Sequence, residues 1–221
     1  MRVYYCCILI LVSLFLSSCA SEGTTASQKE GKYMFLSLSV KGELKGNVYY
    51  CILLNSEGNK IQVDDIATFT DVIRYHHASD MSPSGFVWYH KANPTDNVLT
   101  YITELDTYAS ISDDGSTITY TFPLDDKTLP FNNYLPELFT AQCLVANTNG
   151  GEIGQYIDTL GPNLSSSTVY TVSVEKTKGP VSATLPAGYP NDGIGDFESS
   201  TIPAGMPQEN ADITSFRIYN Y

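Results

Sequence analysis

The sequence predicts an all-β fold: an antiparallel β-sandwich of roughly nine to eleven short strands, with a long irregular segment before the last one. Three features carry that prediction. Apolar residues recur with a period of two from Tyr33 onward, clusters of Gly, Asn and Asp separate the apolar runs, and no stretch holds a sustained helical period. A period of two sends successive side chains to opposite faces of a strand, so a sheet with one face in the core and one in water alternates apolar with polar.

In the first strand Met34, Leu36, Leu38 and Val40 point one way and Ser37 and Ser39 the other. Runs at 47–54, 71–75, 85–90, 98–103 and 107–112 follow, rich in aromatic and β-branched residues. Residues 116–122 form the cleanest strand, with Ile118, Tyr120 and Phe122 set against Thr117, Thr119 and Thr121. Asp113-Asp114-Gly115-Ser116 leads into it as a hairpin turn in which glycine accepts a positive φ. Asn55–Asn59 and Asn147–Gly151 are longer turns of the same chemistry. Leu129 to Phe139 is the best helical candidate, and Pro130 and Pro136 limit it to a short turn. Strands at 138–146, 153–158 and 170–175 lead to a Pro/Gly-rich excursion over 176–211, from which Asp212–Tyr219 returns as the final strand. Long structureless loops are uncommon and often functional, which makes this excursion a candidate contact region.

Composition bounds the function. With 221 residues, 43% hydrophobic and 16% charged, the chain has material for one packed core and too little charge for a disordered polymer. Twenty-four acidic residues against 12 basic ones give a net charge of −12, which repels phosphate backbones and excludes nucleic acid as a partner.

The N-terminus sets the compartment. Met1-Arg2 supplies a positive charge, and Val3 to Leu16 is almost wholly apolar. That run falls short of the roughly 20 residues a membrane span needs, so residues 1–18 read as a cleaved signal peptide. Leu16-Ser17-Ser18-Cys19 resembles the lipobox of bacterial lipoprotein precursors. The resemblance implies a diacylglyceryl thioether on Cys19, cleavage before it, and usually a palmitate-type acyl chain on the new amine. It further implies a protein of the bacterial cell envelope, anchored to a membrane through lipid. Two or three acyl chains, at about 0.8 kcal/mol per buried methylene, hold more firmly than one. Residues 19–32 are then the lipidated cysteine and a polar, flexible tether, and 33–221 the folded domain. Loss of the signal removes Arg2 and no acid, which moves the net charge to −13.

Two cysteines remain in the domain, Cys51 and Cys143. An exported compartment permits a disulfide between them, closing a loop of about 90 residues. The other reading is two separate buried thiols.

Candidate chemistry is sparse. His76, His77 and His90 lack the spacing of familiar zinc sites and read as exposed loop residues. Asn191-Asp192-Gly193-Ile194-Gly195-Asp196 is similar to the second half of the Asp-rich calcium loops of thrombospondin type 3 and dockerin-type repeats. Upstream, Gly188 and Pro190 stand where those loops carry Asp or Asn, so Asp192 and Asp196 would ligate calcium only with help from elsewhere. The pairs Asp64-Asp65, Asp113-Asp114 and Asp125-Asp126 read as turn caps, not as carboxylates placed across a scissile bond. No nucleophile elbow or P-loop is present, and the chain is read as a non-enzyme with no cofactor beyond that calcium loop.

Aromatics are the remaining signal. In Phe86-Val87-Trp88-Tyr89 one face must be core, which puts Trp88 inward and Tyr89 outward. Tyr75, Tyr89 and Tyr101 are expected to form a solvent-facing row, with Trp88 as the fourth candidate if its face were the open one. Exposed tyrosines present a flat ring and a hydroxyl at low entropic cost, suiting a sugar ring or a partner's apolar patch. The sequence thus reads as a lipid-anchored envelope sandwich with a non-catalytic binding role, its ligand a glycan or another envelope protein. The alternatives are an accessory or structural subunit of an envelope assembly, and an envelope hydrolase whose site gathers distant residues such as His90.

Overall fold

The computed structural model describes residues 32–62, 65–77, 85–93, 98–149, 152–159, 171–176 and 202–220. Cys19, Asp192 and Asp196 lie outside them. The strands are β1 (Tyr33–Val40), β2 (Val48–Asn55), β3 (Asp71–His76), β4 (Gly85–His90), β5 (Thr100–Glu104), β6 (Ala109–Ile111), β7 (Thr117–Pro123), β8 (Leu138–Asn149), β9 (Glu152–Thr159), β10 (Val172–Glu175) and β11 (Ile213–Asn220). A single turn of helix, α1 (Pro130–Tyr134), precedes β8, with its proline in the first turn where the missing N–H costs nothing.

The strands form two antiparallel sheets. The small sheet runs β11-β1-β7-β6, and the large one runs β10-β8-β2-β3-β4-β5. β9 and β10 succeed one another along one edge of β8: β10 pairs with Leu138–Ala141 and β9 with Leu144–Asn149. The β6–β7 turn is the predicted hairpin, with Gly115 at φ 71° and the Asp114 carboxylate accepting from the Ser112 hydroxyl and from the amide and hydroxyl of Ser116. Those hydrogen bonds hold the Asp114 carboxyl below its usual range. Asp126 caps its turn through Thr128, and Asp65 accepts from the Ala67 amide.

Between the sheets lies one apolar core. Leu36, Leu38, Ile118, Tyr120, Phe122, Phe216 and Ile218 face it from the small sheet, and Tyr50, Ile52, Leu54, Ile73, Trp88, Phe139 and Val145 from the large one. α1 plugs an open end: Phe131 stacks on Phe122 at 4.7 Å and meets Trp88 and Phe139 edge-on. A second apolar layer covers the far side of the large sheet. There Tyr49, Cys51, Leu53, Val72, Leu144 and Ala146 are buried with Ile61 and Phe69, which explains why β2 is buried along its whole length.

Cys51 and Cys143 are both buried, and no disulfide joins them. Cys143 is directly opposite Ile52, while Cys51 is opposite Leu144. One step of register separates them, and one step reverses the face, so Cys143 enters the core between the sheets and Cys51 the outer layer. Burial pushes the Cys51 thiol up to about 12.

Candidate binding face of the large sheet

The register of the large sheet decides where the aromatic candidates go. Tyr75 is opposite Phe86, which shares a face with Trp88, so all three point into the core. Trp88 is completely buried, as the alternation predicts, and Tyr75 is 5% exposed, stacked on Phe86 at 4.6 Å. The expected row of three tyrosines is corrected accordingly: Tyr75 is not part of it. Its phase is that of Ile73, and the partner of Arg74 on the other face is Tyr89.

Tyr89 and Tyr101 do come together. They are directly opposite across β4 and β5, with ring centroids 6.2 Å apart in an edge-to-face arrangement. Tyr101 is 49% exposed and Tyr89 is half-buried. Behind them Arg74 fills the space between two rings, its Cζ 4.1 Å from the Tyr49 centroid and 4.6 Å from that of Tyr89. Its Nη2 donates to the Tyr89 hydroxyl. The sheet enforces this geometry, since Arg74 is opposite Cys51 on one side and Val87 on the other, which leaves Tyr49 and Tyr89 on its two diagonals. Each cation–π contact contributes about 0.5–2 kcal/mol depending on desolvation, so Tyr89 is fixed in orientation. The Tyr89 oxygen accepts from Arg74 and its own proton remains available to a ligand. Val98, 67% exposed, and Leu99, packed against Tyr89's layer, extend the apolar surface toward the sheet edge. The signal the sequence carried for Arg74 was its place between Val72 and His76 on the polar half of β3, which single-strand alternation reads as a solvated charge.

The histidines are not exposed loop residues as a group. His76 is buried, with Nε2 near the Asn47 side-chain oxygen and its ring against Tyr49, and burial lowers its pKa. His77 is exposed and hydrogen-bonds the Tyr75 hydroxyl. His90 pairs with Asp71 at the opposite end of the β3–β4 ladder from His76, about 17 Å away at strand rise, so the two cannot share a metal. Among the described residues no cluster of three or more His, Cys, Asp or Glu is placed to hold a metal ion.

Asp71 is the centre of a buried polar network at one end of the β3–β4 ladder. Fully buried, its Oδ1 accepts from Trp88 Nε1 at 2.9 Å and His90 Nδ1 at 2.8 Å, and its Oδ2 accepts from the Thr70 hydroxyl at 2.7 Å. The His90 ring stacks on Tyr134 at 4.1 Å. With Nδ1 donating to the carboxylate, the ring turns its Nε2 away from Asp71. Among the described residues, no hydroxyl or thiol hydrogen-bonds Nε2. The network ties β3 to β4 and orients Trp88.

Two further features escaped the sequence reading. Lys176 is buried and its Nζ donates to the Phe131 and Leu135 carbonyls, the unsatisfied C-terminal acceptors of α1; burial lowers its pKa to about 8. An open groove of about 600 Å³ runs between residues 42–47 and 203–210, lined by Gly46, Asn47, Met206 and Asn210 among others. Compared with known proteins, the chain matches no family model, no curated protein and no solved structure, so its function is read from its own residues.

Proposed function

We propose that this protein is a lipid-anchored module of the bacterial cell envelope that binds a glycan without transforming it. Cys19 carries the acyl chains, residues 20–32 serve as the tether, and the sandwich presents Tyr89 and Tyr101 to the ligand. The observation that carries the reading is the pairing of those two rings on the outer face of the large sheet, backed by Arg74 and open to solvent at the edge. With Tyr89 oriented by Arg74, the ring pair offers an apolar face to the C–H side of a sugar and a tyrosine proton to its hydroxyls. The lipobox resemblance and the acidic charge favour an uncharged envelope ligand over a polyanion.

The test is a glycan array followed by calorimetry on the best hit, with Tyr101→Ala as the variant. Wild-type protein is expected to bind at least one glycan, and Tyr101→Ala to bind it about tenfold more weakly, the equivalent of about 1.4 kcal/mol. A blank array, capture of an envelope protein that ignores Tyr101→Ala, or turnover of the glycan would each overturn the reading.

A further inference from the structure

Among the described residues, the outer face of the small sheet carries no acidic side chain, whereas that of the large sheet carries Glu104 and Glu175. The small sheet's outward positions are Tyr33, Phe35, Ser37 and Ser39 on β1, Thr117, Thr119 and Thr121 on β7, Ser215, Arg217 and Tyr219 on β11, and Ser110 on β6. Not one is acidic, in a chain with 24 acids and 12 bases. Among the described residues, carboxylates flank the sheet in its connecting segments, at Glu43, Asp106, Asp113–Asp114, Asp125–Asp126 and Glu209, and at Asp212, which is paired with Lys41. The hydroxyls satisfy one another across the strands, Ser37 with Thr119 and Ser39 with Thr117, each at 2.9 Å. Arg217 is exposed and is the one charge among these positions.

At one end the face turns aromatic. Phe35 stacks on Tyr219 at 4.8 Å with the rings 7° from parallel, and Tyr33, 42% exposed, lies 6.5 Å from Phe35. This is the end at which β1 begins, and the chain preceding Tyr33 leads back to Cys19.

We propose that the outer face of the small sheet is the surface this protein lays against the lipid headgroups of its own membrane. The inference rests on the lipid anchor at Cys19. Between Cys19 and Tyr33 the tether reaches at most about 50 Å, so it keeps the body near the bilayer without choosing which side faces it. Charge and chemistry choose. Anionic headgroups repel the acidic body, and that repulsion falls off within about 8 Å at physiological ionic strength, so the side placed nearest must be the one without carboxylates. Tyrosines and a phenylalanine at the tether end suit the boundary between headgroup and acyl chain, where a ring is buried and a hydroxyl stays wet. Arg217 meets lipid phosphate, and neutral hydroxyls lose little when covered by polar headgroups. This orientation turns the opposite outer face, with Tyr89 and Tyr101, away from the membrane.

The experiment uses full-length, acylated protein in vesicles of phosphatidylethanolamine and phosphatidylglycerol. Fluorophores are placed at Ser110→Cys on the small-sheet face or at Glu104→Cys on the outer face of the large sheet, and a quencher is attached to lipid headgroups. The label at 110 is expected to be quenched several-fold more than the label at 104. Adding Arg217→Glu, a surface change that leaves the core intact, is expected to bring the two closer to equality. Equal quenching of the two labels, or indifference to Arg217→Glu, overturns the orientation while acylation of Cys19 and co-sedimentation with vesicles leave the anchor standing. A bare Cys19 in the mass spectrum, with protein that stays in the supernatant, overturns the anchor and this inference together.

Discussion

Asp71 offers the most demanding test of how the large sheet is held. Its carboxylate is fully buried and takes three donors, from Trp88, His90 and Thr70. Replacing it by alanine leaves the Trp88 N–H, fully enclosed, and the His90 Nδ1–H, on a half-buried ring, without their acceptor. Two hydrogen bonds to a charged group at about 1.5–3 kcal/mol each, less some relaxation, give an expected cost of about 3–5 kcal/mol for Asp71→Ala. Asparagine has nearly the same shape and behaves differently. Its amide oxygen keeps the Trp88 and His90 bonds, and its NH₂ faces Thr70. The Thr70 hydroxyl can turn to accept that proton, because the Leu54 carbonyl, now 3.4 Å away, is available as its own acceptor. Asp71→Asn is thus satisfiable and loses only the charge assistance, about 1–2 kcal/mol. Urea unfolding followed by intrinsic fluorescence measures both, and Trp88 is the sole tryptophan, seated against the altered group. Equal costs for the two variants, or an alanine variant within 1 kcal/mol of wild type, would refute the argument that unpaired donors dominate.

Three further outcomes are expected. Lys176 has a folded pKa of about 8 against 10.5 when unfolded, so the unfolded chain binds more protons above pH 8 and stability rises with pH, by roughly 0.5–1 kcal/mol between pH 8 and 9. Cys51, raised from 9.0 to about 12, acts in the opposite sense over its own window, and the raised tyrosines Tyr50 and Tyr120 add to the decline above pH 10; chemical denaturation across pH 7–11 tests this, and Lys176→Met should abolish the rise. Reductant should leave the melting temperature unchanged, and both Cys51 and Cys143 should titrate as thiols in denaturant; a reductant-dependent drop would mean the two are bridged. Gly115→Ala, at φ 71° in the β6–β7 turn, should cost about 1–2 kcal/mol in the same unfolding assay, and a neutral result would mean the turn adopts another conformation.

How much was legible follows from what each signal depends on. Each predicted strand corresponds to an observed one within a few residues, because alternation and turn chemistry are local: Ile118, Tyr120 and Phe122 face the core for the same reason that Thr117, Thr119 and Thr121 do not. The turn roles of Asp114 and Asp126 were legible too, since their partners lie two residues away. The face chosen by Tyr75 was not, because that depends on which strand pairs with β3 and in what register. Nor was Arg74 between Tyr49 and Tyr89, a grouping drawn from three strands.

Local periodicity therefore determined, without any structure, that the chain forms short antiparallel strands in two layers and that Trp88 points inward. Tertiary pairing alone decided that Cys51 and Cys143 enter opposite layers, that Asp71 gathers Trp88 and His90, and that the hydroxyls of β1 and β7 assemble into one face without acids. The physical reason is range. A strand's alternation is written in neighbours two residues apart, while the sharing of a face joins residues such as Ser37 and Thr119 across 82 positions, and only the register of the sheet brings those together.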